Sequence, residues 1–279
     1  MATKKLLLCF VLFSTLYYSH AQDSSLLKML NDSMVANSQK SYVTGTFKAE
    51  HVVNMQTIEA PGAGAMSFII QHRFGALNSG SYNFFGLDNA TIRLGLNFGI
   101  TDRLTAGISR TSYFKTYEGY IKYKLLRQTE GRGMPLTVSL LGSISYVTNR
   151  DPAPPLAGAK STMYAAQLLL ARKFSRLLSL QLVPTYLHYN LLPSASDKKD
   201  QIALCAGGRL KFTKRMSINA EYNYLLPDQA VSYTVQNSLS LGWDIETGGH
   251  VFQFVFSNSQ SLIEPQYIGK TTGRWNKDD

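Results

Sequence analysis

Charged side chains recur at alternate positions inside otherwise apolar or small-residue stretches. Arg93 sits in ATIRLGLNFG, Glu118, Lys122 and Lys124 in TYEGYIKYKLL, and Arg209 and Lys211 in ALCAGGRLKF. Glu221 follows in SINAEYNYL, and Asp244 and Glu246 in SLGWDIET. Acids and bases mixed in this way have two uses when they share an interior. They fill a narrow bore with a network of ion pairs across the lumen, or they line a small polar channel and set its selectivity. The network is the favoured expectation, because about twelve strands leave little width once side chains fill the inside.

Catalytic chemistry has weaker support. His72, His188 and His250 lie near strand ends, and His250 is separated from Glu246 by the TGG turn, within reach across a hairpin. No serine is tied to that pair in a nucleophile, base and acid arrangement. Paired cysteines, HExxH and an acidic calcium loop do not occur, and GAGAM is a poor match to a phosphate-binding loop. The chain is therefore not expected to be an enzyme, and neither a cofactor nor a metal is expected.

The elements that would position the charges are strands. From Gly64 onward apolar residues recur with period two, giving strands near residues 66–74, 89–100, 103–113, 117–128, 135–146, 162–173, 177–189, 201–212, 216–225, 234–246 and 250–258. Most are longer than the five or six residues usual in soluble domains and match the roughly 9 to 11 residues of a tilted membrane crossing. Their connections alternate. TD, FSR, TKR and TGG are tight, whereas GALNSGSYNFFGLD, VTNRDPAPPLAGAKS and NLLPSASDKKD are long; TEGRGMP, after the fourth strand, breaks the pattern by being long for its side. Short turns on one side and long loops on the other mark bacterial outer-membrane barrels. A weak repeat, FGITDRLTAG, RKFSRLLSL and LKFTKRMSI, belongs to a meander of similar hairpins.

The rows opposite the charges include Leu94, Leu96 and Phe98, then Ile121, Leu140, Ile144 and Leu180, and later Ile202, Ile218, Trp243 and Phe254. Tyr113, Tyr117, Tyr146, Tyr164, Tyr186, Tyr189, Tyr222, Tyr224 and Tyr233 cluster towards the long-loop ends, as an interfacial belt would. These features favour lipid over a second protein layer as the surroundings of the apolar rows.

At the start, MATKKLLLCFVLFSTLYYSHAQ has the charged, apolar and small-residue order of a cleaved secretory signal over residues 1–21. Residues 22–63 read as a periplasmic or lumen-lying segment, and residues 64–279 as the barrel. Beyond the signal Cys205 is the one remaining thiol, so no internal disulfide forms. The net charge of +10 comes from scattered bases, which argues against a nucleic-acid surface. Charged residues make up 16% of the chain, low for a soluble domain and suited to an exterior closed to charge.

The strings FIIQHRFG, FFGLDNATIRLGLNFGITDRLT, YEGYIKYKLLRQ, QLLLARKFSRLLSLQLVPTY and DIETGGHVFQFVFSNSQ resemble a domain-of-unknown-function family of outer-membrane β-barrels from Bacteroidetes-type bacteria. The resemblance implies an up-and-down, antiparallel, all-β transmembrane barrel in the cell outer membrane, and carries no catalytic residues with it. Relatives continue past WNKDD into one more strand, so about twelve strands are expected where eleven are read. Three explanations stand open: the count is off by one, residues 42–53 join the wall, or the closing strand is missing. Expected partners are outer-membrane lipid, the barrel-assembly machinery, and a small polar solute or a periplasmic partner. The leading functional expectation is a narrow channel or transport component. The alternative is a docking barrel that uses its long loops, including residues 151–161, and a barrel-embedded hydrolase comes last.

Overall fold

A computed structural model describes residues 25, 27–29, 32, 41–131, 133–149 and 162–275. The chain divides into two compact units at Ser41, and in the first of them residues 25, 27–29 and 32 are helical. The expected signal at 1–21 and the loop at 151–161 lie outside the described residues. No described helix is long and apolar enough to cross a membrane.

The second unit holds eleven strands: β1 Met66–Phe74, β2 Ala90–Gly99, β3 Leu104–Thr111, β4 Thr116–Leu126, β5 Thr137–Val147, β6 Thr162–Lys173, β7 Leu178–Tyr189, β8 Asp200–Lys211, β9 Met216–Leu225, β10 Ser238–Thr247 and β11 His250–Ser257. Each pairs antiparallel with its neighbour in sequence, forming one continuous meander. β1 and β11 are its two edges, and among the described residues no ladder joins them. Among the described residues the count of eleven therefore stands. Residues 42–53 do not join the wall, because Tyr42 to Thr129 and His51 to Gln56 are isolated bridges.

The recurring turn words have a local cause. Thr101 Oγ1 accepts from the N–H groups of Arg103 and Leu104, Ser175 Oγ from those of Leu177 and Leu178, and Thr213 Oγ1 from those of Arg215 and Met216. A hydroxyl that folds back on the next two or three amides reverses the chain tightly. The same device, used three times, produces the sequence repeat.

Period-two alternation then sorts the side chains. Leu94, Ile121 and Phe254 lie on the outer face, 43%, 59% and 59% exposed, while Arg93, Lys122 and Glu221 on the opposite rows are buried. Among the described residues three charges break the apolar exterior near the strand ends: Arg110 of β3 and Arg172 of β6 lie against the rings of Tyr117 and Phe174, and Asp200 opens β8. Tyr117, Tyr146, Tyr164, Tyr186, Tyr222 and Tyr224 are exposed on the outer face. Tyr189 departs from the expected belt: it points inward, is fully buried, and donates to Pro265 O at 2.5 Å.

β10 starts at Ser238, four residues later than the alternation suggests. The Gln236 N–H is taken by Thr271 O, and the Asn237 side chain accepts from the Leu225 N–H, so this stretch serves the loop instead of the ladder. A short helix, α1 Glu264–Gly269, begins with Pro265 in its first turn and is buried along its whole length.

Candidate functional site

Side chains from β2, β4, β7, β9, β10 and β11 converge on one stretch of chain, residues 50–59. The sheet must therefore curl around it. Val52 N–H donates to Met55 O at 2.8 Å, and His51 pairs with Gln56, making a tight hairpin with its tip at Val53 and Asn54. The amides of Val53, Asn54 and Met55 all point at the Glu221 carboxylate, at 2.9 to 3.1 Å. Three N–H groups aimed at one carboxylate supply charge-assisted bonds about twice as strong as neutral ones. Gly207 gives the tip its room, since a Cβ there would sit 2.4 Å from Met55 Cε.

The stem of the hairpin is held by donors from the wall. Lys122 Nζ donates to Thr57 O at 3.0 Å, Glu59 O at 2.6 Å and Gln56 Oε1 at 3.3 Å. Gln181 accepts from the Ile58 N–H and donates to Gln56 O, while Gln253 donates to Val52 O. Asn54 Nδ2 donates to Ser240 Oγ at 3.0 Å, and Asn97 donates to Glu50 at 2.7 Å. Buried backbone polar groups need partners, and here charged and amide side chains of the wall supply them.

A second segment enters from the long-loop end. After β11 the chain turns inward, burying Leu262, Ile263, Tyr267 and Ile268. Gln266 Nε2 donates to Thr116 Oγ1 at 3.1 Å, and Thr271 Oγ1 to Tyr267 O at 2.7 Å. Glu264 lies beside Glu118, and each carboxyl has one oxygen without another hydrogen-bond partner. Burial and the Glu118 charge hold the Glu264 carboxyl well above its ordinary range, which favours its protonated form beside Glu118.

The expected lumen charges can now be placed individually. Arg93 is buried on β2 and paired with Glu118; it also donates to Ser109 Oγ at 3.0 Å, Gln71 Oε1 at 2.9 Å and His51 Nε2 at 3.2 Å. Arg209 meets Glu246 at 2.5 Å, with Lys211 at 3.6 Å and Lys48 at 3.3 Å from the same carboxylate. Asp244 accepts from Gln253 at 2.7 Å and Ser217 at 3.2 Å. Lys124 is half-buried towards the short-turn end of β4. The Arg93–Glu118, Arg209–Glu246 and Lys211–Glu246 pairs link strands two apart in the sheet, whereas Lys48 comes from the segment before β1. The expected network across the lumen is not what the structure shows: the space it would cross is taken by residues 50–59 and 258–271, and Glu221 and Lys122 bind that chain instead.

The suspected pair of His250 and Glu246 does not form. Across the turn His250 points outward and stacks on Phe252, while Glu246 turns inward to its three bases. His72 also lies on the outer face, and His188 pairs with Asp200 there at 2.7 Å. Sequence reasoning missed Arg73, His51, Asn54, Glu264 and Lys270. Two signals could have found most of them: apolar Phe47, Val52, Val53, Met55 and Ile58 within a polar stretch, and SLIEPQYIG, with proline placed to start a helix.

Above both segments, at the long-loop end, is a cavity of about 580 Å³ whose walls include Arg73, Tyr113, Phe114, Tyr233, Gln266 and Lys270. Burial brings the Lys270 ammonium down to about 8, and its Nζ stands 5.2 Å from the centre of the Tyr189 ring.

A comparison with curated proteins finds no match. A comparison with protein families matches residues 47–279, the inner hairpin together with all eleven strands, to the family described as "Membrane bound beta barrel domain (DUF5777)". An exterior of exposed apolar rows, a meander of long strands and this match agree, and the chain belongs to the DUF5777 family of membrane-bound β-barrel domains.

Proposed function

We propose that this chain is a plugged outer-membrane barrel that docks or binds a partner at its outer mouth, exported by a cleaved signal and oriented with its short turns in the periplasm. The observation that carries this reading is the filled bore. One segment of the chain's own backbone occupies it from each end, and Lys122 and Glu221 are engaged in holding the inner one. A static channel lined by Arg93, Lys122 and Glu221 would need those groups to face water; each of them instead has protein partners. The orientation rests on the alternation of short and long connections.

The test is solute efflux. Vesicles containing the purified, folded protein should retain glucose, and deletion of residues 44–58 should make them leak. Efflux from wild-type vesicles at the rate of the deletion variant would overturn the reading.

Transport by withdrawal of the inner hairpin is a second reading. It is favoured by the way that hairpin is held: side chains bind it, and no continuous ladder does. Asn54 Nδ2 and Ser240 Oγ touch at 3.0 Å, so cysteines at both positions, Asn54→Cys and Ser240→Cys, joined by a short bis-methanethiosulfonate cross-linker would lock the hairpin. If transport is the function, the locked protein loses it and a reductant restores it; docking at the mouth is indifferent to the lock.

A further inference from the structure

We infer that the cavity at the outer mouth is a binding site for a small organic anion with a planar apolar body, held by Arg73 and Lys270. The inference deepens the docking reading and rests on it.

The charge of the cavity is one-sided. Among the described residues that line it, Arg73 and Lys270 are cationic and no carboxylate is present. Arg73 is nine-tenths buried, yet its Nε has no hydrogen-bond partner. One terminal nitrogen donates to Asn54 Oδ1 and the other makes a long contact of 3.4 Å to His72 O. The Glu221 carboxylate beneath it is already engaged by three backbone amides. Lys270 has the face of Tyr189 as its neighbour instead of an acid. With two cationic side chains on its wall and no acid to compete, the cavity offers charge-assisted bonds to an incoming anionic oxygen.

The rest of the wall selects shape. Tyr113 and Phe114 meet edge to face with ring centres 4.5 Å apart, and Tyr233 comes from the loop before β10, its hydroxyl donating to Gly269 O at 3.1 Å. Phe114 is held at φ +49°, in the left-handed region that bulky residues avoid. Such strain collects at ligand clamps. A volume of about 580 Å³ lies within the range of small-molecule sites. Aromatic rings beside two cations suit an aryl carboxylate or aryl phosphate better than a bare inorganic ion.

Isothermal titration of the folded protein in detergent micelles, with phenyl phosphate as probe and phenol and inorganic phosphate as comparators, tests the site. Phenyl phosphate should bind saturably at one per chain, with phenol and phosphate each at least tenfold weaker. Lys270→Gln should weaken phenyl phosphate at least tenfold while the protein keeps its heat-modifiable mobility in gels. Should that variant fail to fold, Arg73→Gln is read by the same criterion. Equal binding of phenol and phenyl phosphate, unchanged affinity in the folded variant, or no saturable binding overturns the inference. Glucose efflux separates the two levels: tight vesicles without anion binding sink the anion site alone, whereas leaking wild-type vesicles sink the docking reading beneath it.

Discussion

The two segments that fill the bore both bury apolar side chains and both accept bonds from the wall, but in different proportion. The inner hairpin, residues 50–59, offers its backbone, and the wall reaches in with Glu221, Lys122, Gln181 and Gln253 to bind it. The outer segment offers side chains: Tyr267, Ile268 and Ile263 are fully buried, and its one acid is accommodated by keeping a proton. A chain with little regular structure can thus be fixed inside a barrel either by polar groups supplied from the wall or by apolar groups of its own. The first way leaves a signature in the strands, as inward charges, and the second leaves one in the segment.

Truncating the largest apolar anchor should break the outer segment most. Tyr267→Ala removes a fully buried ring and should cost about 3 to 5 kcal/mol, read as a lower urea midpoint and rapid proteolysis between residues 258 and 271. The inner hairpin should remain protected; its simultaneous release would mean that the two segments are one unit. Glu221→Ala makes the converse test. Loss of a charged acceptor for three amides should cost about 2 to 3 kcal/mol and open residues 50–59 to protease while the outer segment stays docked.

A smaller effect separates the segments by pH. Because Glu264 is held above its ordinary value of 4.5 when docked, it is neutral in both states below that pH and ionises first in the undocked chain as pH rises. Docking of the outer segment should therefore weaken from about pH 4.5 upward. Lys270, brought down to about 8, acts in the opposite sense: its burial penalty is relieved as pH climbs through that value. The groups facing Glu264 are Glu118 and Arg93 of the wall, and those near Lys270 are Tyr189, Tyr233 and Arg73. Glu264→Gln should flatten the dependence between pH 4.5 and 8, measured as protection of residues 258–271, and leave the inner hairpin unchanged. A slope that persists in this variant would place the proton elsewhere. Smallest of all, phenyl phosphate affinity should fall as pH passes about 8 and Lys270 loses its charge, a trend that Lys270→Gln should abolish in titrations.

The wall was legible because its information is local. Period-two alternation marks all eleven strands, and Thr101, Ser175 and Thr213 mark three turns by hydroxyls that act on amides two and three residues away. The contents of the bore were not legible for the complementary reason. Glu221 lies 168 residues from the Val53 amide it receives, and Gln266 lies 150 from Thr116. Neither inner segment has a periodic face, since each lies in surroundings supplied from several strands at once. Alternation also placed Lys122 and Glu221 inward without saying what they would meet. Tyr189 illustrates the same limit: a tyrosine near a strand end fits an interfacial belt, and only the parity of its strand, with Pro265 arriving from far along the chain, turns it inside.

Among the described residues the strands number eleven, which is odd, and that has a directional consequence. β1 and β11 both climb from the short-turn end, so the antiparallel ladder that joins every other neighbouring pair is unavailable for a direct weld between them. Backbone groups left bare in hydrocarbon cost several kcal/mol each, which makes this gap the place where the cylinder most needs completing. A single length of chain that zips it antiparallel on both sides has to descend from the long-loop end, whatever molecule it belongs to.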